Sequence, residues 1–333
     1  MKNGDRGLNK RLLQRKTNYI VGNRKVAIIG AGFVGASIAY ALAIRDIARE
    51  IVLVDINHEK TNGEAQDIRH GIPSMGTVDL YAGDYQDCAD CDLIIVTAGR
   101  GRRAGESRLD LTNENLKIMH SVIDSIGKYY IRGVVLIISN PVDIMTYKVT
   151  EWMRLADGMV FGSGCMLDSS RFVRSIADYL DLNTGVINGY VVGEHGDAQV
   201  PVWSHVTVGG IPIREYCENV NLEWNQEVKN SIAEHTRRMG SEIIKAKGKT
   251  QYGIATCVCN LADAIINQRP TIVSVSSTLQ GEHGVRDVAL SVPSVVGPSG
   301  VQQRIREKWA SEEYRGFFDA VERIRGIMAA LQK

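Results

Sequence analysis

A chain of 333 residues is long enough for two modest domains or one large α/β domain with a substantial core. Its 39 Lys and Arg against 38 Asp and Glu leave a net charge of +1. That balance excludes a broad basic field for gripping a nucleic-acid backbone or an anionic membrane, and favours a small-molecule partner.

In chain order, the first 25 residues carry eight Lys or Arg and a single acid, Asp5, without Ser. This stretch reads as a basic tail over residues 1–23 and not as an organelle-targeting peptide. Four short apolar runs rich in Val and Ile follow: KVAIIG (25–30), EIVLVD (50–55), DLIIVTAG (92–99) and VVLIISN (134–140). Such runs suit strands buried on both faces. Segments of helical spacing, such as GASIAYALAIRDIA and LTNENLKIMHSVIDSIGKYY, lie between them. The alternation predicts a parallel, doubly wound sheet with right-handed crossovers over residues 24–161.

Beyond about residue 160 the pattern changes. A helix is expected at LDSSRFVRSIADYLDL, strands at GVINGYVVGEHGD, polar helices near 221–248 and 256–269, and a hairpin around IVSVSSTLQGEHGVRDVALSVPSVVG. Residues 162–333 therefore read as a mixed α+β substrate domain built onto the first. No apolar run approaches the roughly 18 to 20 residues of a membrane-spanning helix, and the start lacks the apolar core of a secretory signal, so a soluble, cytoplasmic protein is expected.

GAGFVG places Gly30, Gly32 and Gly35 in G-x-G-x-x-G spacing, with Phe33 and Val34 inside the motif, after a strand and at the start of a helix. Glycines there let the backbone approach a pyrophosphate, and the helix N-terminus stabilises its charge. Asp55, 20 residues past the last glycine at the end of the next strand, is placed to bond a ribose 2′-hydroxyl. A carboxylate there repels a 2′-phosphate, so NAD is favoured over NADP. The first half thus reads as a Rossmann-type domain, with Gly99 at the end of a later strand among the expected cofactor contacts.

GEHGD sets His195 between glycines at a strand end, and LDSSR sets Asp168 and Arg171 one helical turn apart on one face. A lone histidine beside glycines is commonly structural; its company points elsewhere. Moving a hydride to a carbonyl requires a proton donor at the oxygen, and an imidazole held by a carboxylate fits that task. An arginine fork matches a substrate carboxylate through two parallel hydrogen bonds.

From residue 24 to the C-terminus the chain resembles the L-lactate/L-malate dehydrogenase family, in its lactate-dehydrogenase-like branch. The resemblance runs through IIGAGFVGAS, TAGRGRRAGESRLDL, ISNPVD, GSGCMLDSSRF, GEHGD, PVWSH and LSVPSVVG, in the family's order. It implies His195 as proton donor and acceptor, Asp168 as its orienting carboxylate and Arg171 as the fork for the substrate's C1 carboxylate. It implies further that Asn140 places substrate and nicotinamide, and that Arg108 polarises the reacting carbonyl from a closing loop. Asn140 can also be read as a strand-end turn, and Thr250 either touches substrate or packs. A homotetramer is implied by the same resemblance.

TAGRGRRAGESRLDL carries four arginines in nine positions, Arg100 to Arg108. In the family, the site of Arg102 faces the substrate's variable group; lactate dehydrogenases resemble one another in carrying Gln there, malate-active relatives in carrying Arg. Paired with the second carboxylate of oxaloacetate in a closed site, Arg102 would gain roughly 1.5 to 3 kcal/mol. Facing a methyl while buried, it would cost roughly 3 to 5 kcal/mol. The residue therefore points to L-malate dehydrogenase, with L-lactate dehydrogenase as the alternative kept by the lactate-like background. Arg100 and Arg103 read as solvated charges, and Ala104 replaces the family's usual Pro.

Family members activated by fructose 1,6-bisphosphate carry Arg and His where this chain has Val173 and Asn188, so no response to that sugar phosphate is expected. The six cysteines, including Cys88-x-x-Cys91 and Cys257-x-Cys259, form neither a four-ligand zinc set nor a disulfide framework, and read as reduced thiols with no metal. A non-catalytic, NAD-binding redox sensor is the reading from another class; the set of His195, Asp168 and Arg171 argues against it, since a sensor needs no proton donor.

Overall fold

The computed structural model describes residues 22–101, 105–129 and 131–331, without the side chain of Arg108. The basic tail, apart from residues 22 and 23, and Arg102, Arg103 and Ala104 lie outside the described residues. The four apolar runs form β1 (Lys25–Ile29), β2 (Glu50–Val54), β4 (Leu93–Val96) and β5 (Val134–Ile137), with β3 (Asp79–Ala82) and β6 (Val160–Gly162) as shorter additions. They pair in parallel in the order β3-β2-β1-β4-β5-β6.

Alternate residues of β1 feed two different cores. Val26 and Ile28 pack with Ile38 and Leu42 of α1 (Phe33–Ile44), whereas Ala27 and Ile29 pack with Met119 and Ile123 of α3 (Arg108–Ile126) and Met145 and Val149 of α4 (Val142–Met153). Coverage on both faces explains why these strands are apolar without interruption. The remaining helix of this half, α2 (His58–Gly71), follows β2 and is capped by the Asn57 side chain. The chain order reverses between β1 and β4, the switch point at which doubly wound sheets open a crevice at their carboxyl edge.

The second half extends the same sheet. Residues 187–212 supply five short strands: β7 (Ile187–Asn188), β8 (Val191–Gly193), β9 (Gln199–Pro201), β10 (Thr207–Val208) and β11 (Ile211–Pro212). The expected hairpin is β12 (Thr271–Gln280) with β13 (Arg286–Gly297), and β14 (Gly300–Arg304) pairs with β13. β12 joins β6 through Ser276 and Gly162, and β13 joins β8 through Ser291 and Gly193, so the sheet runs on through β6-β12-β13-β8-β9.

The helices of this half are α5 (Met166–Leu180), α6 (Ile213–Asn219), α7 (Gln226–Lys247), α8 (Tyr252–Ile266) and α9 (Ser311–Leu331). The polar helix expected near 256–269 is instead apolar α8, with Val258, Leu261 and Ile265 sunk into the core shared with β1 and α1. No helix among the described residues is long and apolar enough to cross a membrane. All six cysteines are buried and free, and burial pushes their thiols up.

Candidate active site

The glycine motif follows β1 and opens α1. Gly30 has φ +105°, and a Cβ there would lie 2.7 Å from Thr97 Oγ1; a Cβ on Gly35 would lie 1.9 Å from the Gly30 carbonyl oxygen. Both positions demand glycine. A Cβ on Gly32 would meet nothing within 4 Å, so the motif borders open space. Gly32 caps α1 without a side-chain hydrogen bond, which leaves the first-turn N–H groups for an incoming anion. Asp55 Oδ2 accepts from Ala31 N at 2.7 Å and Oδ1 from Asn57 N at 3.0 Å, so the acid is fixed against the motif with lone pairs to spare for hydroxyls. Phe33 is exposed and Val34 half-buried. The residues present therefore fit a dinucleotide with a pyrophosphate and an unphosphorylated ribose.

At the same carboxyl edge, Gly99 follows β4 and Asn140 follows β5. Asn115 of α3 binds them together: its Oδ1 accepts from Arg100 N at 3.0 Å, and its Nδ2 donates to the carbonyls of Arg100 and Asn140, the latter at 3.0 Å. Ser139 Oγ donates to Ala98 O at 2.5 Å. Asn115 lies on the buried face of α3, in line with Thr112 and Met119. Arg100 is not the solvated charge its position suggests: it forms a two-pronged ion pair with Glu106, and both side chains are largely buried.

α5 presents Asp168 and Arg171 on one face, and the loop after β8 brings His195 to them. His195 Nδ1 lies 2.5 Å from Asp168 Oδ2, while Arg171 Nη1 donates to Asp168 Oδ1 at 3.2 Å. Burial alone would push the Asp168 carboxyl up; His195 and Arg171 beside it hold it below the usual carboxylate range. The Asp168 anion in turn raises the imidazole to about 9, against the opposing effect of burial. Nε2 is thereby left to carry a proton outward at neutral pH.

His195 and Asn140 line a cleft of about 510 Å³, walled by Leu109 of α3 and by Arg323, Ile324 and Ile327 of α9. α9 is seated on the core by an apolar stripe at helical spacing, Phe317, Val321, Ile324 and Met328, of which Ile324 also reaches the cleft. Arg108 is the first residue of α3. Thr250 is half-buried in the loop between α7 and α8 and is not among the residues lining this cleft. A larger groove of about 650 Å³ near His120 and Trp152 shares none of the cleft's residues.

Fold and site together describe a nicotinamide-dependent dehydrogenase, in which a dinucleotide domain meets a histidine–carboxylate pair across one cleft. Residues 24–162 match the model for the NAD-binding domain of lactate/malate dehydrogenases, and residues 165–328 match the model for the α/β C-terminal domain of the same family. The chain belongs to the lactate/malate dehydrogenase family and is an NAD-dependent oxidoreductase of 2-hydroxy acids.

Among its relatives, the L-lactate dehydrogenase of Priestia megaterium is 40% identical over 290 residues, 87% of this chain and 91% of that protein. The L-lactate dehydrogenase of Thermoanaerobacter sp. (strain X514) is 40% identical over 307 residues, 92% and 99% of the two chains. The crystal structure of the minor L-lactate dehydrogenase from Enterococcus mundtii in its ligands-bound form superposes with a TM-score of 0.89 at 36% identity, covering 92% of this chain and 98% of that one. These names weigh toward lactate and against the malate preference drawn from Arg102.

Proposed function

We propose that the protein is an L-lactate dehydrogenase, interconverting pyruvate with NADH and L-lactate with NAD. The names of relatives aligned over nearly their whole length support the substrate. The observation that carries the chemistry is His195, which lines the cleft that Asn140 shares and is held from behind by Asp168.

The dinucleotide, when bound, supplies the hydride donor and acceptor at carbon. Gly30, Gly32, Phe33, Val34 and Gly35 cradle its pyrophosphate end, Asp55 takes a ribose hydroxyl, and Gly99 and Asn140 border the nicotinamide end. His195 Nε2 gives a proton to the carbonyl oxygen during reduction and takes it back during oxidation. Asp168 fixes the tautomer and stabilises the charged imidazole. Arg171 forks the C1 carboxylate, and Arg108 polarises the carbonyl. Thr250 is assigned to packing beside the site. We assign the protein to a homotetramer, as its resemblance implies, and to the cytoplasm, in keeping with its reduced thiols, with residues 24–161 and 162–333 as its two domains.

Arg102 favours a second reading, L-malate dehydrogenase, in which its guanidinium meets the second carboxylate of oxaloacetate. The two separate in initial rates of NADH oxidation with pyruvate and with oxaloacetate, for wild type and Arg102→Gln in parallel. The lactate reading expects wild type to prefer pyruvate. A preference for oxaloacetate of about a hundredfold that reverses in the variant, about 2.7 kcal/mol at 1.36 kcal/mol per decade, replaces it with the malate reading.

A further inference from the structure

Asp143 is a carboxylate of the cleft that the reading above leaves without a task. It sits in the first turn of α4, directly after the Asn140 loop, and is 2% exposed. Its Oδ2 accepts from the His195 main-chain N–H at 2.8 Å, and its Oδ1 accepts from Ser276 Oγ at 2.6 Å. Ser276 is itself fully buried, at the register position where β12 meets β6. One side chain thus ties the dinucleotide domain's helix, the strand that joins the halves and the loop bearing the imidazole.

A buried carboxylate is costly unless something compensates its charge. The ion pairs formed among the described residues do not include Asp143. The charged or titratable groups facing it are His195 and Glu194 of the loop after β8 and Cys165 at the start of α5, with Asp168 and Arg171 lying beyond the imidazole. Glu194 is itself paired with Arg323 of α9 at 3.1 Å across the same cleft, which leaves His195, when protonated, as the cation set directly against Asp143. The same geometry that burdens the fold therefore serves the histidine: a second anion, behind the main chain, adds to Asp168 in favouring the imidazolium that reduction requires.

We propose that Asp143 is a positioning residue for His195, fixing its main chain through Oδ2 and supporting the protonated imidazole through its negative charge. The proposal rests on the reading of His195 as proton donor. Burial raises the Asp143 carboxyl to about 6 against its hydrogen bonds from Ser276 and the His195 main chain, so the charge is present throughout the window from pH 7 upward in which His195 titrates.

The test is the pH dependence of kcat/KM for reduction of the preferred 2-oxo acid, with NADH affinity by fluorescence titration, in wild type, Asp143→Asn, Asp143→Ala and Ser276→Ala. Asp143→Asn retains an acceptor for the His195 N–H but no charge. It is expected to bind NADH within about threefold of wild type and to lower the alkaline midpoint by about one pH unit. Asp143→Ala is expected to add a loss in kcat of about tenfold or more. Ser276→Ala keeps the charge and frees one end of it, with an expected loss in kcat of about threefold.

A wild-type midpoint in Asp143→Asn overturns the proposal, whether or not Asp143→Ala folds. His195→Asn separates the two levels of the argument. If that variant keeps wild-type activity, the proton-donor reading itself fails. If it is inactive while Asp143→Asn is unaltered in midpoint, only the role of Asp143 fails.

Discussion

The glycine cradle and the cluster of side chains around His195 are built by different means. In the first, backbone does the work: a glycine at φ +105°, a second with no room for a Cβ and an uncapped helix start make the cradle within six consecutive residues. In the second, side chains from four separated segments converge: Asp143 from α4, Asp168 and Arg171 from α5, His195 from the loop after β8 and Ser276 from β12. The first kind of site fails through sterics, the second through charge, and the two failures are separable by measurement.

The largest expected effect is on the charge side. Asp168→Asn or His195→Asn should lower kcat by about 10²- to 10⁴-fold while NADH affinity stays within a few-fold, seen by stopped-flow turnover and fluorescence titration. Unchanged turnover would remove the pair from the chemistry.

Next comes the steric side, where two glycine variants should part company. Gly35→Ala places its Cβ 1.9 Å from the Gly30 carbonyl, so NADH affinity and Tm should both fall, the affinity by about tenfold or more. Gly32→Ala meets no protein atom within 4 Å, so Tm should hold while NADH affinity falls, because the added methyl enters the space assigned to the pyrophosphate. Equal Tm losses in the two variants would contradict that contrast.

Asn115→Ala probes the bridge between two loops of the dinucleotide half. With the Arg100 and Asn140 loops no longer bridged, kcat/KM should drop by about tenfold, mostly in KM for the 2-oxo acid, since loop placement and not proton transfer is disturbed.

The smallest effect concerns stability. A histidine raised to about 9 from 6.5 stabilises the folded state fully below pH 6.5, and the contribution is lost as pH rises through about 9. The Tm of wild type should therefore decline relative to His195→Asn across that window by a few degrees, measured by calorimetry. Parallel curves would show that the imidazole is not held charged.

The same contrast explains what was readable in the sequence. β1, β2, β4 and β5 stand out as apolar runs because both faces are covered, and the cradle stands out because its whole geometry is local. β3 and β6, with four and three residues, carry too little pattern to announce themselves. α8 reads as polar because its scattered Thr, Asn and Asp obscure the stripe of Ala, Val, Leu and Ile that it buries.

His195, Asp168 and Arg171 were legible through helical spacing and resemblance, but Asp143, Asn115 and Ser276 were not. Their partners lie 52, 25 and 133 residues away, and such pairings become visible only when the fold is complete. Arg100 shows the converse: beside three other arginines it reads as solvent-facing, whereas Glu106, six residues on, closes the fork.

The most direct test of the account is the pH profile of kcat/KM for 2-oxo acid reduction in wild type and Asp168→Asn. The account predicts activity that falls through a midpoint near 9 in wild type, and a midpoint moved well down once the carboxylate is neutral, because burial and Arg171 then act on the imidazole against Asp143 alone. The same midpoint in both proteins would contradict it, and would mean that the proton comes from a group other than His195.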